Sequence, residues 1–335
     1  MFLYGLCILE KWSARGMIMT DSYDLIIVGG GCVGFAAAMY AGRMQLRTAI
    51  FAEQRGGTII LTDVVENYPG FKKLTGTELA EKIIEHAKEY DIEIFDEKVA
   101  SVEKVGNCYR VSSRNQSLIA KTVLFATGTI WRKLGVPGEE EYANKGVHYC
   151  ALCDGAFYKD KVVGVVGGSD SAAKEALLLT QWAKKVYIIY RKENIRAEPI
   201  NTKRVAENKK IEIIPNTNVV EIKGGKFMNR AILDKPYNGS TEFSLDALFI
   251  EIGHIALSDL AKNLGVACNQ KGEIVTNRAA ETNLPGIYAA GDVGDAPFKQ
   301  AITGVGEGVA AVFSAFEYVN NNTFDCPKDE KEEQE

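Results

Sequence analysis

One pattern constrains this 335-residue chain more than any other: an apolar strand, a glycine-rich turn and an alanine-rich helix, occurring twice. Leu25-Ile26-Ile27-Val28 reads as a buried strand, Gly29-Gly30-Gly31-Cys32-Val33-Gly34 as the turn, and Phe35 to about Met44 as the helix. A second strand, Thr48 to Ala52, ends at Glu53. In that setting G-x-G-x-x-G is a phosphate cradle. Gly29 permits the tight turn, Gly31 lets a pyrophosphate approach the backbone, and Gly34 lets helix and strand pack closely. The helix start adds amide donors and the positive end of its dipole. Glu53 follows Gly34 by 19 residues, where a carboxylate can accept from ribose hydroxyls.

The unit recurs as Val162 to Val166, then Gly167-Gly168-Ser169-Asp170-Ser171-Ala172, a helix from Ala173 to Trp182, and a strand from Lys185 to Tyr190. Two features differ. Arg191 lies 19 residues past Ala172, and Lys192 and Arg196 follow it. A basic strand end suits a 2′-phosphate, so the second site is expected to take NADPH rather than NADH. Ser169 stands where the second glycine belongs; its side chain crowds the pyrophosphate, although its hydroxyl can donate to phosphate. The pattern predicts an α/β chain with two Rossmann-like dinucleotide-binding domains and two cofactors that exchange electrons. FAD, which stays bound, is expected in the first and the exchangeable nicotinamide in the second.

Cysteine placement supplies the redox chemistry. Of seven cysteines, Cys7, Cys32, Cys108, Cys268 and Cys326 stand far apart in sequence, and Cys150 and Cys153 alone are close. That usage predicts a reducing, cytoplasmic compartment with one working pair. C-x-x-C is also half a zinc site, but no second half exists and only His148 of the three histidines is near, so no metal is expected. Asp154 beside a dithiol can protonate a departing thiolate or deprotonate an attacking thiol. The plainer alternative makes it a turn residue before Gly155. A net charge of −5 argues against wholesale nucleic-acid binding. The lack of an apolar run of about 18 residues argues against a membrane-spanning helix. Residues 1–20 are expected to be an extension without catalytic role, and 324–335 a charged, solvated tail.

Over about residues 22–320 the chain resembles the low-molecular-weight, bacterial- or archaeal-type thioredoxin reductases, within the pyridine nucleotide-disulfide oxidoreductases. The likeness rests on both turns, on Val65-Glu66-Asn67-Tyr68-Pro69-Gly70, Phe125 to Thr129, Tyr149 to Gly155, Ile252-Gly253-His254, Gly286 to Val293, and Lys299 to Thr303. It implies a three-layer ββα architecture with the NADPH domain (137–253) inserted between two segments of the FAD domain (21–136 and 254–323). FAD would lie against Gly29, Gly31, Gly34, Glu53, Gly57, Asn67, Ala126-Thr127-Gly128, Asp292, Gln300 and Ala301. NADPH would lie against Gly167, Gly168, Ser169, Asp170, Ser171, Arg191, Lys192 and Arg196. Hinges at Gly135 to Gly138 and near Gly253 would let the inserted domain rotate, so that nicotinamide and disulfide reach the flavin in turn.

By the same resemblance Cys153 faces the flavin, Cys150 attacks the disulfide of thioredoxin or a glutaredoxin-like protein, and Asp154 is the acid/base. The protein would be a homodimer. Other readings keep the flavin and dithiol but take electrons from a ferredoxin-like donor, run the pair backward as a dithiol oxidase, or make it a non-enzymatic flavin redox sensor. The intact Cys150, Cys153 and Asp154 disfavour a pure binding module.

Overall fold

The computed structural model describes residues 22–327. The predicted extension 1–20 and the end of the charged tail, 328–335, lie outside the described residues. Among those described, no helix is long and apolar enough to cross a membrane.

Two units share one plan. In the first, strands β1 (Tyr23–Val28), β2 (Thr48–Phe51), β3 (Ile92–Phe95), β4 (Ser101–Val105), β5 (Cys108–Ser112) and β6 (Ser117–Phe125) join in the order β3-β2-β1-β6-β5-β4. The nine-residue β6 serves two partners on one edge: its first half pairs antiparallel with β5, and its last three residues pair parallel with β17 (Ile287–Ala289). The C-terminal part of the chain thus completes the sheet begun by the N-terminal part.

Side chains of β1 alternate between two interiors, which is why its sequence has no polar face. Leu25 and Ile27 pack with helix α1 (Cys32–Arg43) and the 21-residue closing helix, while Ile26 and Val28 pack with Val102, Tyr109 and Val111 of the β4–β5 hairpin. The layers are therefore helices, parallel sheet and antiparallel hairpin. Helix α2 (Gly76–Ala87) starts at a capping box in which Thr75 and Glu78 bond each other's backbone amides.

After β7 (Thr129–Trp131) the chain enters the second unit. Its parallel sheet, β11-β10-β9-β15-β8, comprises β8 (Val147–His148), β9 (Val162–Val166), β10 (Lys185–Ile189), β11 (Ile211–Ile214) and β15 (Ala247–Ile250). Helix α3 (Ala151–Asp154) follows β8, α4 (Asp170–Leu179) follows β9 and α5 (Pro199–Glu207) precedes β11. Val163, Val165 and Ile188 face α4; Val166, Ile189 and Leu248 face the antiparallel sheet β12 (Val219–Gly224), β13 (Met228–Tyr237) and β14 (Ser240–Ser244). The three-layer plan is repeated.

Two chain crossings connect the units, and they run side by side. On the return, β16 (His254–Ala256) pairs antiparallel with β7, Trp131 opposite His254. The glycines expected at the hinges, Gly135, Gly138 and Gly253, have φ of +76°, +88° and +101°, values that disfavour a Cβ. The chain then forms α6 (Asp259–Leu264), β17 and α7 (Ala301–Asn321).

Both turn helices begin three residues earlier than expected, α1 at Cys32 and α4 at Asp170. Gly31 and Ser169 are their N-caps in extended conformation. The last residues of each glycine motif are thus the first helical turn, whose amides have no intrahelical acceptor.

A larger correction concerns the cysteines. Cys108 and Cys326, read as unpaired, form a disulfide across 218 residues with Cα atoms 5.5 Å apart. The tail expected to be solvated from residue 324 is held there: Phe324 stacks edge-on with Tyr318, and Asn107 bonds the carbonyl of Thr323 and the amide of Asp325. Sequence distance concealed this pair, and the cytoplasmic reading loses the part of its argument that counted one working pair.

Candidate functional site

The first glycine turn leaves β1 at its C-terminal end, beside the point where strand order reverses, the usual ligand crevice of such sheets. Local packing explains two of its glycines. A Cβ on Gly34 would stand 1.9 Å from the carbonyl oxygen of Gly29, and one on Gly29 would stand 2.2 Å from that of Ala126. Gly31 is different: its Cβ would meet no protein atom nearer than 4.0 Å, at Gly56 and Gly57. The protein does not need glycine there, whereas a pyrophosphate laid against the backbone does. The residues fit the expected FAD on this ground.

The other residues expected at FAD gather around that turn. Gly57, with φ +64°, backs directly on Gly31, and Gly56 donates its amide to Gly30. Ala126 donates to Val28, Thr127 bonds the carbonyl of Leu257, and Gly128 accepts from the Leu257 amide. Glu53 lies two residues past the end of β2, exposed, 3.7 Å from the ammonium of Lys98. Asn67 donates to the side chain of Gln300 at 2.7 Å across 233 residues. Gln300 is the N-cap of α7 and Ala301 its first residue. Asp292 sits in a 3₁₀ turn (Gly291–Val293) whose first amide is held by Glu307, a carboxyl that burial pushes up.

The second turn mirrors the first with altered chemistry. Gly31 bridges to Gly56; at the corresponding place Ser169 bridges to Arg196, whose amide bonds the carbonyl of Gly168 at 2.6 Å. Gly167 and Gly168 are required by packing, since a Cβ would strike Glu251 and the Tyr190 ring. Asp170, expected at the nucleotide, has protein partners of its own. Its carboxylate takes Lys174, the Asn201 side chain and the Glu198 amide, tying α4 to α5. Ser171, Arg191, Lys192 and Arg196 are exposed, the three cations around the strand end as the spacing implied.

Cys150 and Cys153 are disulfide-bonded, with Cys150 capping α3 and its sulfur accepting from the Cys153 amide at 3.1 Å. Register places them: Val147 and His148 pair with Leu248 and Phe249 of β15, which pairs with β9 up to Val166. Both the cysteine pair and the Gly167 turn therefore leave the same end of the second sheet. Cys150 is 7% exposed and Cys153 open to solvent, so the sulfur expected to attack substrate is here the more buried one.

Several residues around the pair carried no role in the sequence reading. His148 was noted only as a metal ligand that lacked companions; its Nδ1 lies 3.0 Å from Asp154 Oδ2. Glu175, which burial pushes up to about 7, accepts the Ala151 amide directly under the disulfide. Glu251 beside it is pushed up to about 9 by burial and by Glu175. Glu139, 1% exposed, accepts from the hinge amides of Leu134 and Gly135 and from the Tyr149 hydroxyl, one residue before Cys150. A buried carboxylate in an apolar stretch is the signal that would have flagged Glu175 and Glu251.

The profile of the pyridine nucleotide-disulphide oxidoreductases matches residues 23–308. A thioredoxin reductase of Bacillus subtilis (strain 168) is 40% identical over 308 residues, covering 89% of this chain and 95% of that protein. Among solved structures, a thioredoxin reductase of Lactococcus lactis in its FR conformation superposes with a TM-score of 0.87 at 36% identity, covering 90% of this chain and all of that one. One from Streptococcus pyogenes MGAS5005 is 37% identical over 90% of this chain and 99% of its own, yet its TM-score is 0.61.

Proposed function

The chain belongs to the pyridine nucleotide-disulphide oxidoreductase family, and from that premise we propose that it is a thioredoxin-disulfide reductase fed by NADPH through FAD. The observation that carries this reading is the placement of Cys150–Cys153 with Asp154 at the same sheet end as a nucleotide turn ringed by Arg191, Lys192 and Arg196. Bound FAD would supply a two-electron carrier between a nicotinamide hydride and that disulfide. Residues 21–136 and 254–323 would hold it and 137–253 would hold NADPH. Two relatives of nearly equal identity that superpose so differently fit two units able to rotate about the β7–β16 crossing.

The chain's own residues perform the exchange with substrate. Once the pair is reduced, the Cys150 thiolate attacks one sulfur of the thioredoxin disulfide and expels the other as thiolate. Asp154 delivers a proton to that leaving sulfur. Cys153, deprotonated in turn, attacks Cys150, restoring the intramolecular disulfide and releasing the second thiol of thioredoxin. Two thiols become one disulfide here while one disulfide becomes two thiols there. The Cys153 amide already aimed at Cys150 Sγ supports negative charge on the attacking sulfur. A homodimer follows the family reading.

Anaerobic titration tests the proposal. Substoichiometric NADPH should bleach the flavin band and NADH should do so poorly. A flavin bleached by dithionite but by neither nucleotide would move the donor to a ferredoxin-like protein, and a chain that takes up no flavin would end the reading.

A further inference from the structure

Behind Asp154 stands a short line of polar groups inside an otherwise apolar wall. His148 ends β8, 5% exposed, with its ring stacked on Phe249 at 5.3 Å and 28°. Tyr158 meets it edge-on and places its hydroxyl 2.7 Å from Nε2. On the opposite side Nδ1 approaches Asp154 Oδ2 at 3.0 Å, but without hydrogen-bond alignment, so that Nδ1 is a buried nitrogen lacking a formed hydrogen bond. A buried polar atom that close to its natural partner is expected to close the bond when the partner shifts.

Protonation states follow from the surroundings. Burial pulls the His148 ring down, against the attraction of Asp154, so it is neutral near pH 7. Burial, with Asp154 and Asp246 facing it, pushes the Tyr158 phenol up, so it keeps its proton. The remaining titratable groups here are Lys161, paired with Asp246 at 3.4 Å, and the raised carboxyls of Glu175 and Glu251. A neutral imidazole carries one ring proton. When Tyr158 donates to Nε2, that proton must sit on Nδ1 and points at an Asp154 carboxylate. When Nε2 donates to Tyr158 instead, Nδ1 is bare and accepts from an Asp154 carboxylic acid. One ring serves both states of the acid.

We propose that His148, backed by Tyr158, is the positioning residue and proton relay of Asp154 in the exchange between Cys150–Cys153 and its protein substrate. The inference rests on the acid/base role given to Asp154 above. After Asp154 has passed the proton on its Oδ1 to the leaving thiolate, with its Oδ2 accepting from Nδ1–H, that ring proton moves to Oδ2, Tyr158 gives its proton to Nε2, and solvent reprotonates Tyr158. Water thus supplies the proton that the new thiol holds, and Asp154 itself need not face water to be recharged.

Full-length protein labelled with ¹⁵N-histidine gives only three imidazoles, His86, His148 and His254. We expect His148 to be neutral at pH 7 to 8, to carry its proton on Nδ1, and to shift on Asp154→Asn. An imidazole that titrates freely, or ignores that substitution, overturns the proposal. Second, protein reduced with dithiothreitol is mixed with thioredoxin disulfide in a single turnover. His148→Phe, which keeps the stacking ring, should slow reoxidation about tenfold and move the pH profile by roughly one unit. His148→Asn, which keeps a donor at the Nδ1 position but cannot pass a proton, should recover the pH profile and only part of the rate. In an Asp154→Asn background His148→Phe should cost less than about twofold. An unmoved pH profile, or the full tenfold in that background, makes His148 merely structural. The proposed NADPH route is tested apart, because neither arm uses NADPH; its failure would leave both arms readable.

Discussion

Cys150–Cys153 joins residues three apart at the mouth of the second sheet, whereas Cys108–Cys326 joins residues 218 apart at the closed end of the first. Cys108 precedes Tyr109, which pairs with Ala120; Ala120 in turn pairs with Tyr23, the first residue of β1. That is the end of the sheet opposite the glycine turn. Cys108 is fully buried, while the short disulfide has an exposed sulfur, an acid, an imidazole and two raised carboxyls around it. One bond is built to be opened and closed, and the other to keep the chain's end on its hairpin. What separates them is solvent access at the sulfur and the polar groups lined up behind Asp154, since thiol exchange needs an accessible sulfur and a proton source.

Removing one sulfur from each bond should break the comparison cleanly. Cys150→Ser is expected to lower thioredoxin reduction by at least about a thousandfold while leaving NADPH-driven flavin reduction and the melting temperature nearly unchanged. Turnover that survives would refute the route through Cys150. Cys326→Ser should do the reverse. Activity should stay within about twofold, while stability falls by up to about 5 kcal/mol, the chain-entropy expectation for so long a loop. Denaturant midpoints with and without dithiothreitol check it, and equal midpoints would make the bond inert.

Titration sharpens the contrast further. The folded carboxyls of Glu175 and Glu251 sit at about 7 and about 9, above the usual value of about 4.3 for an unfolded glutamate. Stability from these groups is therefore full below about pH 4.3 and declines as pH rises through their folded values. Glu251→Gln should flatten that decline between pH 5 and 8, by about 1–3 kcal/mol, in urea melts. No such flattening is expected from changes near Cys108. A slope unaltered by the glutamine would mean that Glu251 is ionised in the fold.

The smallest expected effect concerns what feeds the short disulfide. Replacing Arg191 and Lys192 together with alanine should weaken NADPH about tenfold and leave NADH almost unaffected. Unchanged preference in stopped-flow flavin reduction would remove the argument from a 2′-phosphate and put the weight on Arg196 beside Ser169.

Legibility in the sequence tracked the span of the interaction. Both strand–turn–helix units, the sign change from Glu53 to Arg191, the C-x-x-C pair and its neighbouring acid were all readable, because each is a local pattern whose geometry is set within about 20 residues. The helix starts were misplaced by three residues because a capping glycine or serine gives no outward sign of which residue begins the first turn. Nor did any local pattern show that the Asp170 carboxylate ties its own helix to α5 through Asn201 and the Glu198 amide.

The amino-acid order by itself determined that this chain builds two dinucleotide cradles and carries one vicinal sulfur couple, since periodicity and turn chemistry act over short stretches of backbone. Only the packed structure decided which distant groups meet. Helix α7 is capped by Gln300 beside Asn67 and runs 21 residues from Ala301, about 31 Å at 1.5 Å per residue, across the first unit. Its far end therefore delivers Cys326 to Cys108, while β8 pairing beside β15 brings His148 against Phe249 and up to Asp154. Such meetings depend on the length and direction of whole elements, and no local stretch of sequence encodes them.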